Sequence, residues 1–234
     1  MPVRRINWGQ AAGEALLILV GILLALAADA WWEERTERRQ EQEYLAALLI
    51  ELDQMKEHVG AAMRDADQVV EAGRVLLEIT PDWPSAVSTD SLSSLIAGLS
   101  SEVLWAPPTT VYQDLVNTGA VGLIESDEVR LGLNELMEIV SWVDSRQLRH
   151  NEFFWTEMEP YFRTHIPILA VFGWDALAVD QDDWIPGDFL GAEEFRNLVA
   201  GKSLTALDVR DGGEDLTAFI DELTRTISTA AGGN

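Results

Sequence analysis

The sequence predicts an all-α chain, with an N-terminal transmembrane helix continuing into a long helix that packs in a helical bundle with short helices and an irregular segment at 166–191. Three observations predict it. An apolar run near the N-terminus is flanked by arginines on one side and tryptophans on the other. A heptad-like alternation follows without a proline. Further on, apolar stripes recur at helical steps of 4 and 3, punctuated by cap residues, Gly and Pro.

The apolar run spans residues 11–32, AAGEALLILVGILLALAADAWW, with an uninterrupted core from Ala15 to Ala28. As a helix it rises roughly 33 Å, enough for a hydrocarbon core of about 30 Å. Arg4 and Arg5, in a basic head over 1–10, and Trp31 with Trp32 take the positions of membrane-interface anchors. Ala25-Leu26-Ala27 before Ala28 also satisfies the small-residue rule for signal peptidase, but the helical pattern continues past it unbroken, which favours an anchor. Glu14, Ile18, Gly21, Ala25 and Ala28 fall at steps of 4, 3, 4 and 3, with Asp29 one turn beyond Ala25. This small and partly polar face is a candidate contact with another subunit or a copy of the chain, because small residues let helices approach closely in lipid. Lysines and arginines are nearly balanced across the run. The short head and signal-like start favour an N-terminus in the cytoplasm and the domain outside, in the periplasm of a bacterial inner membrane.

Residues 33–229 form the predicted acidic domain, followed by a frayed tail at 230–234. The mixed-charge stretch Glu33 to Arg39 contains no helix breaker, so the membrane helix should run on into water. Leu45, Leu52, Val59, Ala66 and Gly73 alternate with Leu48, Met55, Ala62, Val69 and Leu76. This is the stripe of an amphipathic helix packing within its own domain or, alternatively, of a parallel coiled coil. Pro81 and Pro84 end it. A short helix fits Asp90 to Leu99, capped by Thr89 or Asp90. After Pro107 and Pro108, Thr109 to Gly119 reads as a capped helix closed by glycine. Ser126-Asp127-Glu128 opens a long helix with the face Val129, Leu133, Leu136, Val140 and Val143, running to Glu159 before Pro160 and suited to pack antiparallel on the first. Residues 166–191, rich in Pro, Gly and Trp, suggest a buried loop or short helix, with a membrane-dipping segment as the alternative. Asp211-Gly212-Gly213-Glu214 reads as a turn into a C-terminal helix with the face Leu216, Phe219, Ile220, Leu223 and Ile227.

Composition narrows the function. The 234 residues hold 16 Lys and Arg against 40 Asp and Glu, a net charge of −24. Residues 1–32 balance to zero, so the whole excess lies beyond the apolar run. Nucleic acid is therefore not a partner, since phosphate binding runs on Lys and Arg. With 47% hydrophobic residues, nine Trp and seven Phe, the chain has material for a core. The absence of cysteine excludes disulfides, thiolate metal sites and a cysteine nucleophile, and suits cytoplasm and periplasm alike.

Gly13-Glu14, the apolar run, and then Asp29-Ala30-Trp31-Trp32-Glu33-Glu34-Arg35 resemble the opening of a widespread bacterial family of uncharacterised single-pass membrane proteins. Thr110-Val111-Tyr112-Gln113-Asp114-Leu115 through Thr118-Gly119 is similar to that family's central Tyr-x-x-Leu and Ser-Gly motif, and Glu194-Phe195-Arg196-Asn197 to its late motif. The family's exit from the membrane is Asn-rich, whereas here it carries Asp29-Ala30-Trp31-Trp32. The resemblance implies an anchored helical domain and assigns no activity. Within the motif, Tyr112, Asp114, Leu115, Asn117 and Gly119 are the candidates for a specific role.

Catalytic patterns are missing. His58, His150 and His165 form no metal-ligand spacing, and no nucleophile elbow, phosphate loop or dinucleotide fingerprint is present. Asp180, Asp182 and Asp183 lack the glycine and distal glutamate of a calcium loop. No catalytic, cofactor or metal residue is expected. The expectation is a non-enzymatic interaction or scaffold protein, an accessory subunit of a respiratory, photosynthetic or transport assembly. The alternatives are a homo-oligomer formed through the transmembrane helix and a tethered ligand-binding domain.

Overall fold

A computed structural model describes residues 8–79, 88–166 and 188–232. It is all-α, with a long N-terminal helix packed against the others.

Helix α1, Trp8–Glu78, is 71 residues long, about 106 Å at the α-helical rise. Every described side chain from Leu16 to Gln40 is exposed, and the first buried one is Glu41. The expected domain boundary at residue 33 thus belongs to a stalk, and packing begins about 12 Å further along the helix. From Leu45 to Leu76 the heptad residues are buried inside the chain's own bundle. That burial removes the coiled-coil alternative for this stripe, since its apolar face is already covered.

Helix α2, Thr89–Leu99, lies on α1 at its far end, where Gly98 meets Ala72. Its cap is Ser88, one residue before the expected pair, whose hydroxyl accepts from the Ser91 amide at 3.2 Å. Helix α3, Thr110–Thr118, is closed by Gly119 in the left-handed region at φ 75°, as the glycine suggested. A 3-10 turn, Ala120–Leu123, leads to α4, Asp127–Phe153, which Ser126 caps through the Val129 amide. The five predicted core residues of α4 are all buried.

Helical structure does not stop before Pro160. A π-helical turn, Phe154–Met158, passes directly into α5, Glu159–His165, with Pro160 in its first turn. The wider π ladder precedes the proline, which then sits where its missing N–H goes unused.

After the 3-10 turn Asp188–Gly191 comes α6, Glu193–Gly232, unbroken over 40 residues. The expected turn at Gly212-Gly213 is overturned: both glycines are buried inside α6. A Cβ on Gly213 would lie 2.6 Å from Met63 Cγ, and one on Gly212 would lie 3.2 Å from Arg146 Nη1. The pair is small because two helices press on it. Of the expected frayed tail at 230–234, residues 230–232 end α6, with Ala230 and Ala231 packed against the core, and the last two lie outside the described residues.

Helix α6 is the centre of the bundle, lying along both α1 and α4. On one side Lys56 meets Asp221, Met63 meets Gly213 and the Leu77 carbonyl meets Arg196. On the other, Gly132 meets Leu223, Arg146 meets Asp208 and Phe153 meets Gly201. Helix α6 is therefore antiparallel to both, and α1 and α4 run parallel. The expected antiparallel pairing of α4 with α1 is replaced because α6 continues through Gly212-Gly213 and runs along both α4 and the buried part of α1. Of the segment 166–191, residues 167–187 lie outside the described residues. Its buried flanks, Ile166 and Phe189, stand at the end of the bundle remote from the apolar run.

Candidate functional site

The apolar run is one side of α1 and every other side as well. Leu16 to Leu26 are exposed, and no described element covers them. The helix is long and apolar enough to cross a membrane. Ile18, Gly21, Ala25, Ala28 and Asp29 share one face of this regular helix, and a Cβ on Gly21 would meet nothing within 4 Å. Glu14 occupies the same register in the backbone. At the exit, the Arg35 guanidinium lies 5.6 Å from the centroid of Trp31, and Thr36 Oγ1 donates to the Trp32 carbonyl. Arg4 and Arg5 lie outside the described residues.

Of the motif residues of α3, Asp114 and Tyr112 meet α1 and α4 and Leu115 enters the core. Leu115 is wholly buried. Tyr44 Oη on α1 donates to Asp114 Oδ2 at 3.0 Å, and Tyr112 Oη lies 3.4 Å from Asn134 Oδ1 on α4. Asn117 is exposed, with no side-chain hydrogen bond among the described residues. Thr109 gives α3 no side-chain cap; instead the buried Glu51 carboxylate of α1 accepts the Val111 amide at 2.7 Å and the Tyr112 amide at 3.2 Å. Glu41, also buried, accepts the Glu125 amide at 2.7 Å. Two carboxylates of the long helix thus bind backbone donors that would otherwise be orphaned.

A second polar centre lies where α4, α6 and the strip 100–105 meet. Lys202 of α6 and His150 of α4 are both 0% exposed. Lys202 Nζ donates to the His150 carbonyl at 2.9 Å, and His150 Nδ1 lies 3.0 Å from Thr205 Oγ1, while Nε2 has no partner among the described residues. Burial holds the Lys202 amine down at about 8, against a pull upward from Glu102. Burial, aided by the Lys202 charge, pushes the His150 imidazole down to about 4, so the ring is neutral near pH 7. Beside them Asn151 accepts from the Val103 amide and donates to the Val103 carbonyl, both at 3.1 Å, and Trp105 Nε1 donates to Asp144 Oδ1. This stitches the strip to α4 like one rung of a sheet.

From the sequence, His150 reads as an ordinary histidine, and Lys202, Glu41 and Glu51 do not stand out. The signal was register. Lys202 stands between Val199 and Ala206 at steps of 3 and 4, His150 continues the α4 stripe seven residues after Val143, and Glu41 precedes Leu45 by four. A polar residue in a stripe position is one that must find a buried partner. Among the described residues no group of three or more His, Asp or Glu could hold a metal ion. His58 is exposed on α1, and Asp180, Asp182 and Asp183 lie outside the described residues. No protein-family model, curated protein or solved structure matches the chain.

Proposed function

We propose that the chain is a single-pass membrane-anchored interaction protein without catalytic activity, serving as an accessory or scaffold subunit of a larger membrane assembly. The observation that carries this reading is the continuity of α1. One unbroken helix joins a wholly uncovered apolar segment to the core of the acidic bundle. Lipid is the cover for that surface, because exposed leucines over so long a run are costly in water. The stalk Glu33 to Gln40, laced by the Glu34–Arg38 and Arg39–Glu43 pairs, stays helical in solvent and sets the bundle at a fixed distance from the bilayer. With the N-terminus in the cytoplasm, the bundle lies in the periplasm of a bacterial inner membrane. The face of Gly21 and Ala25 is where a second transmembrane helix, from a neighbouring subunit or another copy, approaches.

Membrane fractionation followed by mild-detergent extraction and native mass measurement tests this. The expected result is a carbonate-resistant membrane pellet and a particle heavier than one chain that contains foreign subunits. A protein released by carbonate, or one that is monomeric in every mild detergent, overturns it.

A further inference from the structure

The strip 102–105 and α4 build an exposed apolar patch that the bundle does not use. Val103 is buried against Asn151 and Trp105 is held by Asp144, so Leu104, between them in extended chain, points outward. On α4, Asp144 and Asn151 bracket Leu148 by four and three residues, so Leu104 and Leu148 each lie between the same two anchor points. One helical repeat further, Trp155 donates its indole N–H to Glu102 at 3.2 Å and leaves its ring in solvent. Leu104, Leu148 and Trp155 are 69%, 58% and 61% exposed. Around these side chains stand Glu102, Asp144 and Glu152, none of them ion-paired to a Lys or Arg among the described residues.

Resting on the reading of the chain as an anchored interaction protein, we infer that this patch docks a basic amphipathic helix of a partner protein. A large apolar stripe outside a finished core marks a contact surface. The carboxylate rim selects the sign of its occupant, since a second copy of a chain with net charge −24 would set acid against acid. A helix with apolar anchors and flanking Lys or Arg satisfies both. Through Lys202 and Ser203, which meet His150 and Gly73, the patch is level with the end of α1, about 60 Å along the helix from Trp32. The partner segment is therefore extramembrane.

The test places a photo-crosslinking residue in the full-length chain in its own membranes, as Leu148→p-benzoylphenylalanine and Leu104→p-benzoylphenylalanine, with exposed Leu131 of the same helix as control. Adducts are expected at both patch positions and not at the control, with the attached peptide rich in Lys or Arg between apolar residues. Glu152→Lys, at an exposed site outside these hydrogen bonds, should lower the adduct yield by about threefold or more while leaving the melting temperature unchanged. No adduct at either position, equal labelling at Leu131, or an adduct to a second copy or to an acidic segment overturns the inference. If the heavy detergent particle persists without patch adducts, only this inference falls. A monomeric chain removes both readings.

Discussion

Lys202 donates its ammonium to the main-chain oxygen of His150 at 2.9 Å, and each residue is fully buried in the contact between α4 and α6. Both groups are bases held below their ordinary values, so each charges more readily in the unfolded chain than in the folded one. For His150 the unfolded ring takes its proton near 6.5 and the folded ring only near 4. Between these values the unfolded state binds more protons, and stability falls as pH falls through the window, by about 3 kcal/mol in all. Urea unfolding followed by tryptophan fluorescence should show this loss in the native protein and a smaller one in His150→Gln. An equal loss in both would mean that carboxylates alone set the acid limit. For Lys202 the window is about 8 to 10.5, and stability rises with pH across it.

The Gly213–Met63 contact is a close approach of α6 to α1. A leucine there has no space, because the first added carbon already meets Met63 Cγ at 2.6 Å. Gly213→Leu should destabilise by about 1–3 kcal/mol through overpacking, despite the better helix propensity of leucine. Gly232→Leu, where nothing lies within 4 Å, should leave the unfolding midpoint unchanged. A Gly213 variant as stable as the native chain would contradict the close approach.

Glu51 caps a helix that begins about 60 residues further along the chain, so nothing in its sequence neighbourhood announces the role. Glu51→Ala leaves the Val111 and Tyr112 amides without an acceptor and should cost about 1–3 kcal/mol. Glu51→Gln retains one oxygen and should cost less. Amide hydrogen exchange at residues 111 and 112 reads the effect directly, and unchanged protection in Glu51→Ala would exclude the cap.

What was legible in the sequence was periodic. The stripes of α1 and α4 named their buried residues, because a 3.6-residue repeat writes one face of a helix into the chain. Gly119 announced a left-handed stop. Gly212-Gly213 failed as a signal because a glycine pair has two physical uses, a turn and a close approach, and only the neighbouring helices decide between them. The buried polar groups failed for a different reason. Lys202, Glu41 and Glu51 each depend on a partner far along the chain, and the register that exposed them was overridden by the ordinary preference of charged residues for water.

The Gly21–Ala25 face of α1 makes the last prediction, because it is small as well as uncovered by any described element. Gly21 and Ala25 offer a neighbouring helix a close approach, whereas Leu23 lies on the opposite side of the same helix. Gly21→Leu and Ala25→Leu should each lower the yield of crosslinked assembly in membranes, while Leu23→Ala should not. Leu23→Lys tests insertion itself, since a lysine at mid-helix disfavours it by roughly 2.5–3.5 kcal/mol and should move protein from the carbonate-resistant to the released fraction. If Gly21→Leu and Ala25→Leu both leave the crosslinks intact while Leu23→Lys abolishes retention, the helix is an anchor alone, and contacts with other subunits must be made by the bundle.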